Sequence, residues 1–556
     1  MKAWMGAACL LAASQGLWAQ SVAPVDTHDA YHQQPPAAAP LGKTGPTPHE
    51  KRKQGVSPAY ARQWREALAR ADRGDAAEAG HALADVLAHR EFATLSAGEQ
   101  RATWSRAAWM AVALDDHARA RAMVEKAIAT DPNDADDLYL LVQLEDHAGE
   151  RAAAARHLQA LVRRWPRMLD HLDIGVVQHV AHQAPDDDPV RWSLLEALLE
   201  AGWDAHGLGV GDLWYPLALH YVAQGDAAGV RRAAALTTSP QALVKFRADR
   251  RFDGLLDRDD TALDVAAAAE RRLEHLRRLA NERPKHLEVR MELSYALLTL
   301  GRYAEVVSLA DDVVATRATA SPDTPAFDDP SFAAWIVDNR ATARRALGAI
   351  DEAQADLFLA VSMADEAMPN VGHALNLGDF LCQRGRPAEA LAAIGDLKDG
   401  MSDYGRMVQA SIRHCAALQQ DDAASARRAL RLLREHRDQG LELWIWALVE
   451  ADRPDEAASA LIAGLEAPAS RGEMLAAVQE YRELSPLPAF QPVVQRWRDL
   501  RRARTCNGRS PRWGESNATR SSARAAADGA DLRRAPSIAA AAPAVRRHAC
   551  PRPACR

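Results

Sequence analysis

Two helix-ending prolines, set 34 residues apart, constrain this chain more than any other feature. Asp131-Pro132 and Trp165-Pro166 each close a helical pattern, because proline cannot continue the hydrogen-bond ladder. Between them Leu138, Leu141 and Val142 form an apolar face on a first helix. Gly149 offers a turn, and Ala154, Leu158 and Leu161 form the face of a second helix. A hairpin this short cannot bury its apolar side alone, so recurrence of the unit implies stacking of one copy on the next.

The unit does recur. The segment ending at Pro132 carries Trp104, Ala107 and Ala108, then Ala120, Val124 and Ala127. Trp214, Leu217, Ala218 and Tyr221 precede Gly225; Leu293, Leu297, Gly301 and Tyr303 repeat the spacing. Gly348 precedes Ala353, Leu357 and Ala360, and Leu377-Gly378, Leu381, Gly385 and Ala390 give the clearest copy. Arg453-Pro454-Asp455-Glu456-Ala457 echoes Arg386-Pro387-Ala388-Glu389-Ala390. About eight or nine helix pairs are expected. Small residues belong where helices cross, since only they allow the shorter interaxial distances. Aromatics at 6% argue against a β-sandwich or barrel.

On these positions residues 58–500 resemble the tetratricopeptide repeat (TPR) family, whose first helix carries W-x-x-L-G-x-x-Y. The resemblance implies an all-α fold: a right-handed α-solenoid of antiparallel helix pairs, with first helices lining a concave groove. Residues 169–205 and 232–275 stay helical but lose the register. Pro216 should kink its helix or mark its first turn. Residues 315–331, with Ser321-Pro322-Asp323-Thr324-Pro325, read as an exposed inserted loop.

The two ends differ from this body. Residues 1–19 have the form of a secretory signal, with Lys2, an apolar stretch from Ala7 to Ala13 and a cleavage site after Ala19. Residues 20–57, rich in Pro and Ala, read as a disordered linker. Residues 501–556 hold 13 Arg and no Lys against Glu515, Asp528 and Asp531, a net of +10 that leaves −17 for the rest. This tail could be a polyanion-binding segment, a plain extension, or the product of a shifted reading frame; its abrupt change of composition favours the last. Export would place the chain in the periplasm of a Gram-negative type of envelope, where thiols can pair. Cys382 and Cys415 could bridge only if adjacent helices face each other. Alignment to the repeat sets them on different faces, so a bridge is not expected.

The sequence offers little chemistry. His179 and His182 at i, i+3 could share a ligand, but no further ligand is fixed, and an exposed helix end is the preferred reading. His414 and Cys415 are adjacent, so they point about 100° apart and cannot pair as base and nucleophile; a packed thiol is expected. No GxSxG, Walker A or GxGxxG occurs. Residues 247–253 alternate in charge, as a salt-bridged surface does. The expectation is therefore no enzyme, no cofactor and no metal. No nucleic acid is expected, and no membrane span after signal removal.

The resemblance implies a partner-binding groove lined by Asp136, Tyr139, Gln143, Asp146, Tyr215, Tyr295, Asp379, Gln383 and Trp446. A protein or peptide partner fits such a face, since Trp and Tyr are enriched in binding hot spots. The family's carboxylate clamp uses Lys, Arg and Asn at these places, and here they are acidic or apolar. The acidic body leans toward a cationic partner. The expected function is a periplasmic protein–protein interaction scaffold. The alternative is the superhelical portion of an envelope glycan-processing or polysaccharide-export protein truncated at its C-terminus.

Overall fold

The structure is a computed structural model. It describes residues 56–506 except 185–187, 321–324, 364–370, 396, 398–400 and 482–483. The signal, nearly all of the linker, and residues 507–556 lie outside the described residues, as do Asp186 and Asp187.

The described residues form twenty-four α-helices and no strand. The first six are α1 (Pro58–Ala71), α2 (Ala76–Ala88), α3 (Ala97–Ala113), α4 (His117–Thr130), α5 (Ala135–His147) and α6 (Arg151–Arg164). Next come α7 (Ile174–Gln183), α8 (Pro189–Glu200), α9 (Trp214–Gln224), α10 (Ala227–Ala235), α11 (Pro240–Ala248) and α12 (Val265–Glu282). Then follow α13 (Leu287–Thr299), α14 (Tyr303–Thr319), α15 (Ala333–Ala346), α16 (Ile350–Ser362), α17 (Val371–Gln383) and α18 (Pro387–Ile394). The last are α19 (Asp403–Gln419), α20 (Ala423–Glu435), α21 (Leu441–Glu450), α22 (Pro454–Glu466), α23 (Arg471–Ala477) and α24 (Gln491–Cys506). Short polar side chains start many of them. Asp116 and Asp134 accept from the backbone three residues on, and Ser96 with Glu99 forms a reciprocal capping box.

Consecutive helices pair as α1/α2, α3/α4, α5/α6, α9/α10, α13/α14, α15/α16, α17/α18, α19/α20 and α21/α22, and each pair packs on its neighbours. The result is a helical solenoid. Gly149, Gly225, Gly301, Gly348 and Gly385 take positive φ where a first helix turns into its second. Asp115, Asp421 and Asp452 do so in other hairpins, since aspartate tolerates this conformation better than most residues. At Gly378 on α17 a Cβ would lie 2.6 Å from Ile394 Cγ2 on α18, so the small residue is what lets this hairpin close.

The irregular stretches have a physical cause. Helix α8 packs against α6 rather than forming a tight hairpin with α7. Helix α11 packs on its neighbours α9 and α12 and also on α23, far along the chain. There Val244 and Ala476 are buried together. Lys245, 1% exposed, lies between Asp212 and Glu473 and is hydrogen-bonded to both. A Cβ at Gly472 would sit 2.6 Å from Tyr215 Cε1. The expectation of an array in which each unit touches only its neighbours is therefore corrected: the solenoid is tied back on itself.

Three local expectations meet the structure directly. Pro216 lies in the first turn of α9, where its missing N–H costs nothing. Helix α14 continues to Thr319. Beyond it the chain is anchored: Phe327 is buried beneath Arg290, and Asp328 N donates to Lys285 O at 3.1 Å. Cys382 and Cys415 form a disulfide with Cα atoms 6.5 Å apart. That corrects the expectation of unpaired thiols: α17 and α19 are first helices lying side by side, and a separation of 33 residues sets both cysteines at one level of the stack.

Candidate partner-binding face

The face expected to bind a partner resolves into three environments. On α5, Asp136 is exposed, Tyr139 and Gln143 are half-buried, and Asp146 is buried. These four recur along one strip of the helix. The Tyr139 hydroxyl accepts from Asp173 N at 3.0 Å. Asp146 Oδ1 lies 3.4 Å from His179 Nε2 on α7. Burial opposes charge on both partners, pushing Asp146 up to about 7 and His179 down to about 4. His182 is likewise held down near 4 by burial. Among the described residues no three potential ligands converge around a metal position.

Tyr215 is elsewhere. Its ring is buried between Phe246 and Phe252, and its hydroxyl donates to Asp249 at 2.7 Å. Closure of the array against α11 and α23 turns this side chain into an internal tie, so it is no part of an open groove. Asp249 also pairs with Arg251, and Arg258 with Asp253; the alternating charges of this segment satisfy one another. Tyr295 is half-buried against the cluster of Leu287, Met291 and Ile336.

The third environment lies among α15, α17, α21 and α24. Gln383 Nε2 donates to Asp379 Oδ2 at 2.6 Å. One turn and more back along α17, Asn376 Nδ2 and His373 Nδ1 both meet Asp338 Oδ2 of α15, at 2.6 and 2.8 Å. Trp446 is buried against Trp497 and Phe490, and Glu450 follows it one turn later on α21. Burial pushes Asp379 up to about 7 and Glu450 up to about 8, the latter helped by Asp379. Arg345 and Arg496 oppose these shifts from a distance. Neither carboxylate is within ion-pair reach of a cation among the described residues.

Sequence reading missed several members of this face: Glu450, Asn376, His373, Asp338 and Arg345. It also missed Glu288 on α13, pushed up to about 8 by burial and then by Glu292, Asp173 and Asp329. The available signal was a carboxylate ending the apolar run Leu441–Glu450, and polar residues recurring at helical spacing along α17. His414, expected beside a packed thiol, bonds Ala426 O and Ala447 O at 3.2 Å. Its neighbour Cys415 is committed to the disulfide, so no nucleophile is present there.

No family profile matches the chain, and no curated protein does. Solved structures are similar to it at low identity. A thermophilic TPR protein of Thermus thermophilus shares 15% identity over 50% of this chain and 98% of its own, with a TM-score of 0.21. A chain of an APC/C hetero-tetramer shares 14% over 73% of this chain and 80% of its own, with a TM-score of 0.26. The hairpin architecture stands on the packing described above, not on these likenesses.

Proposed function

We propose that the protein is a periplasmic interaction scaffold that takes a peptide or partner protein along the first helices of its hairpins. One observation supports the reading above others. Half-buried carboxylates without an ion-pair partner among the described residues recur on first helices, at Glu288, Asp379 and Glu450, and Oε1 of Glu288 and Oε2 of Glu450 lack hydrogen-bond partners among those residues. Such groups cost stability, about 1–3 kcal/mol each, and a bound partner that donates to them offsets it. Export is supported by the signal-like N-terminus and by a disulfide of the kind that persists in oxidising compartments. The test is affinity capture with the full chain, beside the variant Glu288→Gln/Asp379→Asn. Partners of this face are present with the parent protein and lost with the variant; equal recovery by both would sink the reading.

A further inference from the structure

We propose that the contact between α11 and α23 is a latch: α23 undocks from α11 while each side of the contact stays folded, and undocking uncovers the hydroxyl edge of Tyr215 on the first helix α9. The proposal is independent of which partner the scaffold takes. The seam is built from small side chains. Gly472 lies against the edge of Tyr215, where a Cβ would come within 2.6 Å of Cε1 and 2.8 Å of the hydroxyl. Val244 meets Ala476. Ala248, also small, is the residue of α11 that joins the buried cluster of Met474 and Leu475. The bulky anchors are held on their own sides. Leu243 and Phe246 of α11 belong to the cluster around Tyr215 and Leu217, and Met474 of α23 packs at Gly464 of α22. Parting the seam therefore separates small side chains and leaves these anchors in place.

The polar groups are shared out in the same way. Lys245 Nζ donates to Asp212 Oδ2 and to Glu473 Oε1. Asp212 lies just before α9, and its carbonyl accepts from Tyr215 N at 3.0 Å, so it belongs to the α11 side. Glu473 belongs to α23 and is 40% exposed, against 1% for Lys245. When α23 leaves, Lys245 keeps one counterion and Glu473 passes into water. No buried charge is stranded, and stranding one is what makes breaking a buried ion pair costly. Tyr215 donates to Asp249, and Asp249 pairs with Arg251, all on the α11 side. Arg471 donates to Leu465 O and Glu466 O of α22, at 2.8 and 2.6 Å. Across the seam it faces Arg251 and Asp249, whose charges oppose each other. A contact whose two halves are each satisfied at home is one that can part without unfolding either.

Hydrogen exchange of the full-length protein, resolved helix by helix with mass spectrometry, reads the latch, because helices of nine and seven residues do not hold their amide bonds once undocked. Glu473→Lys sets a second ammonium against Lys245 and should speed exchange in α23 at least tenfold. Exchange in α9, α21 and α22 should change less than twofold. Glu473→Gln should give the same pattern at smaller size, and it decides the matter if thermal melts show that the charge reversal impairs folding. Asp212→Asn should act differently. With that partner gone, Lys245 depends on Glu473 alone, so undocking becomes harder and exchange in α23 is unchanged or slower. Faster exchange in α23 under Asp212→Asn would make the three charges one inseparable core and overturn the latch. So would a loss of protection spread evenly over α9–α11 and α21–α23 in the Glu473 variants, or exchange in α23 unaffected by both of them.

Discussion

The described residues of 333–466 and of 169–282 are both mainly helical, but they are held by different forces. The first region repeats one device: a helix, a positive-φ turn, a second helix, and a small residue where the two cross. The second keeps that device only in α9/α10, at Gly225, and otherwise loses the spacing and relies on ties between separated parts of the chain, with Lys245 between Asp212 and Glu473, and Tyr215 on Asp249. Periodic sequence marks packing among neighbours, and loss of the period marks a place where the chain answers to something far away. If so, perturbations should separate the two regions.

The largest effect is expected from the disulfide. A cross-link spanning 33 residues restrains the unfolded chain by about 3–4 kcal/mol on loop entropy. Cys382→Ala/Cys415→Ala should lower stability by up to that amount in denaturant titrations. Hydrogen exchange should show the loss concentrated in α17–α20, with α9–α11 unaffected. Uniform loss of protection would mean that the array unfolds as one unit and that the contrast between regions is only structural.

Lys245→Met makes the converse cut. It leaves Asp212, whose side chain is 18% exposed, without its lysine partner, a change that costs about 3–5 kcal/mol in fully buried pairs. The lower end is expected here, because Glu473 is 40% exposed. Protection should fall at α11 and α23 and persist in α15–α18. The glycines sharpen the same distinction at about 1–3 kcal/mol each, the usual cost of overpacking. Gly472→Ala drives a methyl into the Tyr215 ring and should resemble Lys245→Met. Gly378→Ala drives one into Ile394 and should not.

The legibility of these features in sequence follows the same division. Pro132, Pro166 and the turn glycines announced their structure because each acts through local backbone geometry. The Cys382–Cys415 bridge was misjudged because alignment assigns residues to faces of single helices, whereas the bridge depends on which helices lie side by side. The clasp at Lys245 left no trace, since 228 residues separate it from Glu473. Tyr215 fitted the groove pattern and was misplaced for that reason: its helix is covered by the returning chain. Asp379 and Gln383 were found through helical spacing alone, and Glu450 was overlooked because its apolar neighbours read as core.

The smallest effect, on the order of 1 kcal/mol once solvent screening of half-buried groups discounts the full shift, concerns pH and the carboxylates of the regular region. Glu450 ordinarily titrates at 4.5 and is pushed up to about 8 by burial. Between those values the folded protein holds a proton that the unfolded chain has released, so stability falls as pH rises through this window. Its contribution is fully present below 4.5 and gone above about 8. Glu450→Gln removes the titration, and should flatten this part of the stability profile and raise stability at pH 8. Clasp residues behave oppositely: Lys245 holds Asp212 below its usual range, so that contribution is present above about 4 and lost only in acid. A chain carrying Glu450→Gln whose stability still declined from pH 5 to 8 would shift the origin of the decline to Asp379 and Glu442 in the same region, and to Glu288 and Asp146 outside it. A decline abolished instead by Asp212→Asn would erase the distinction between the two regions.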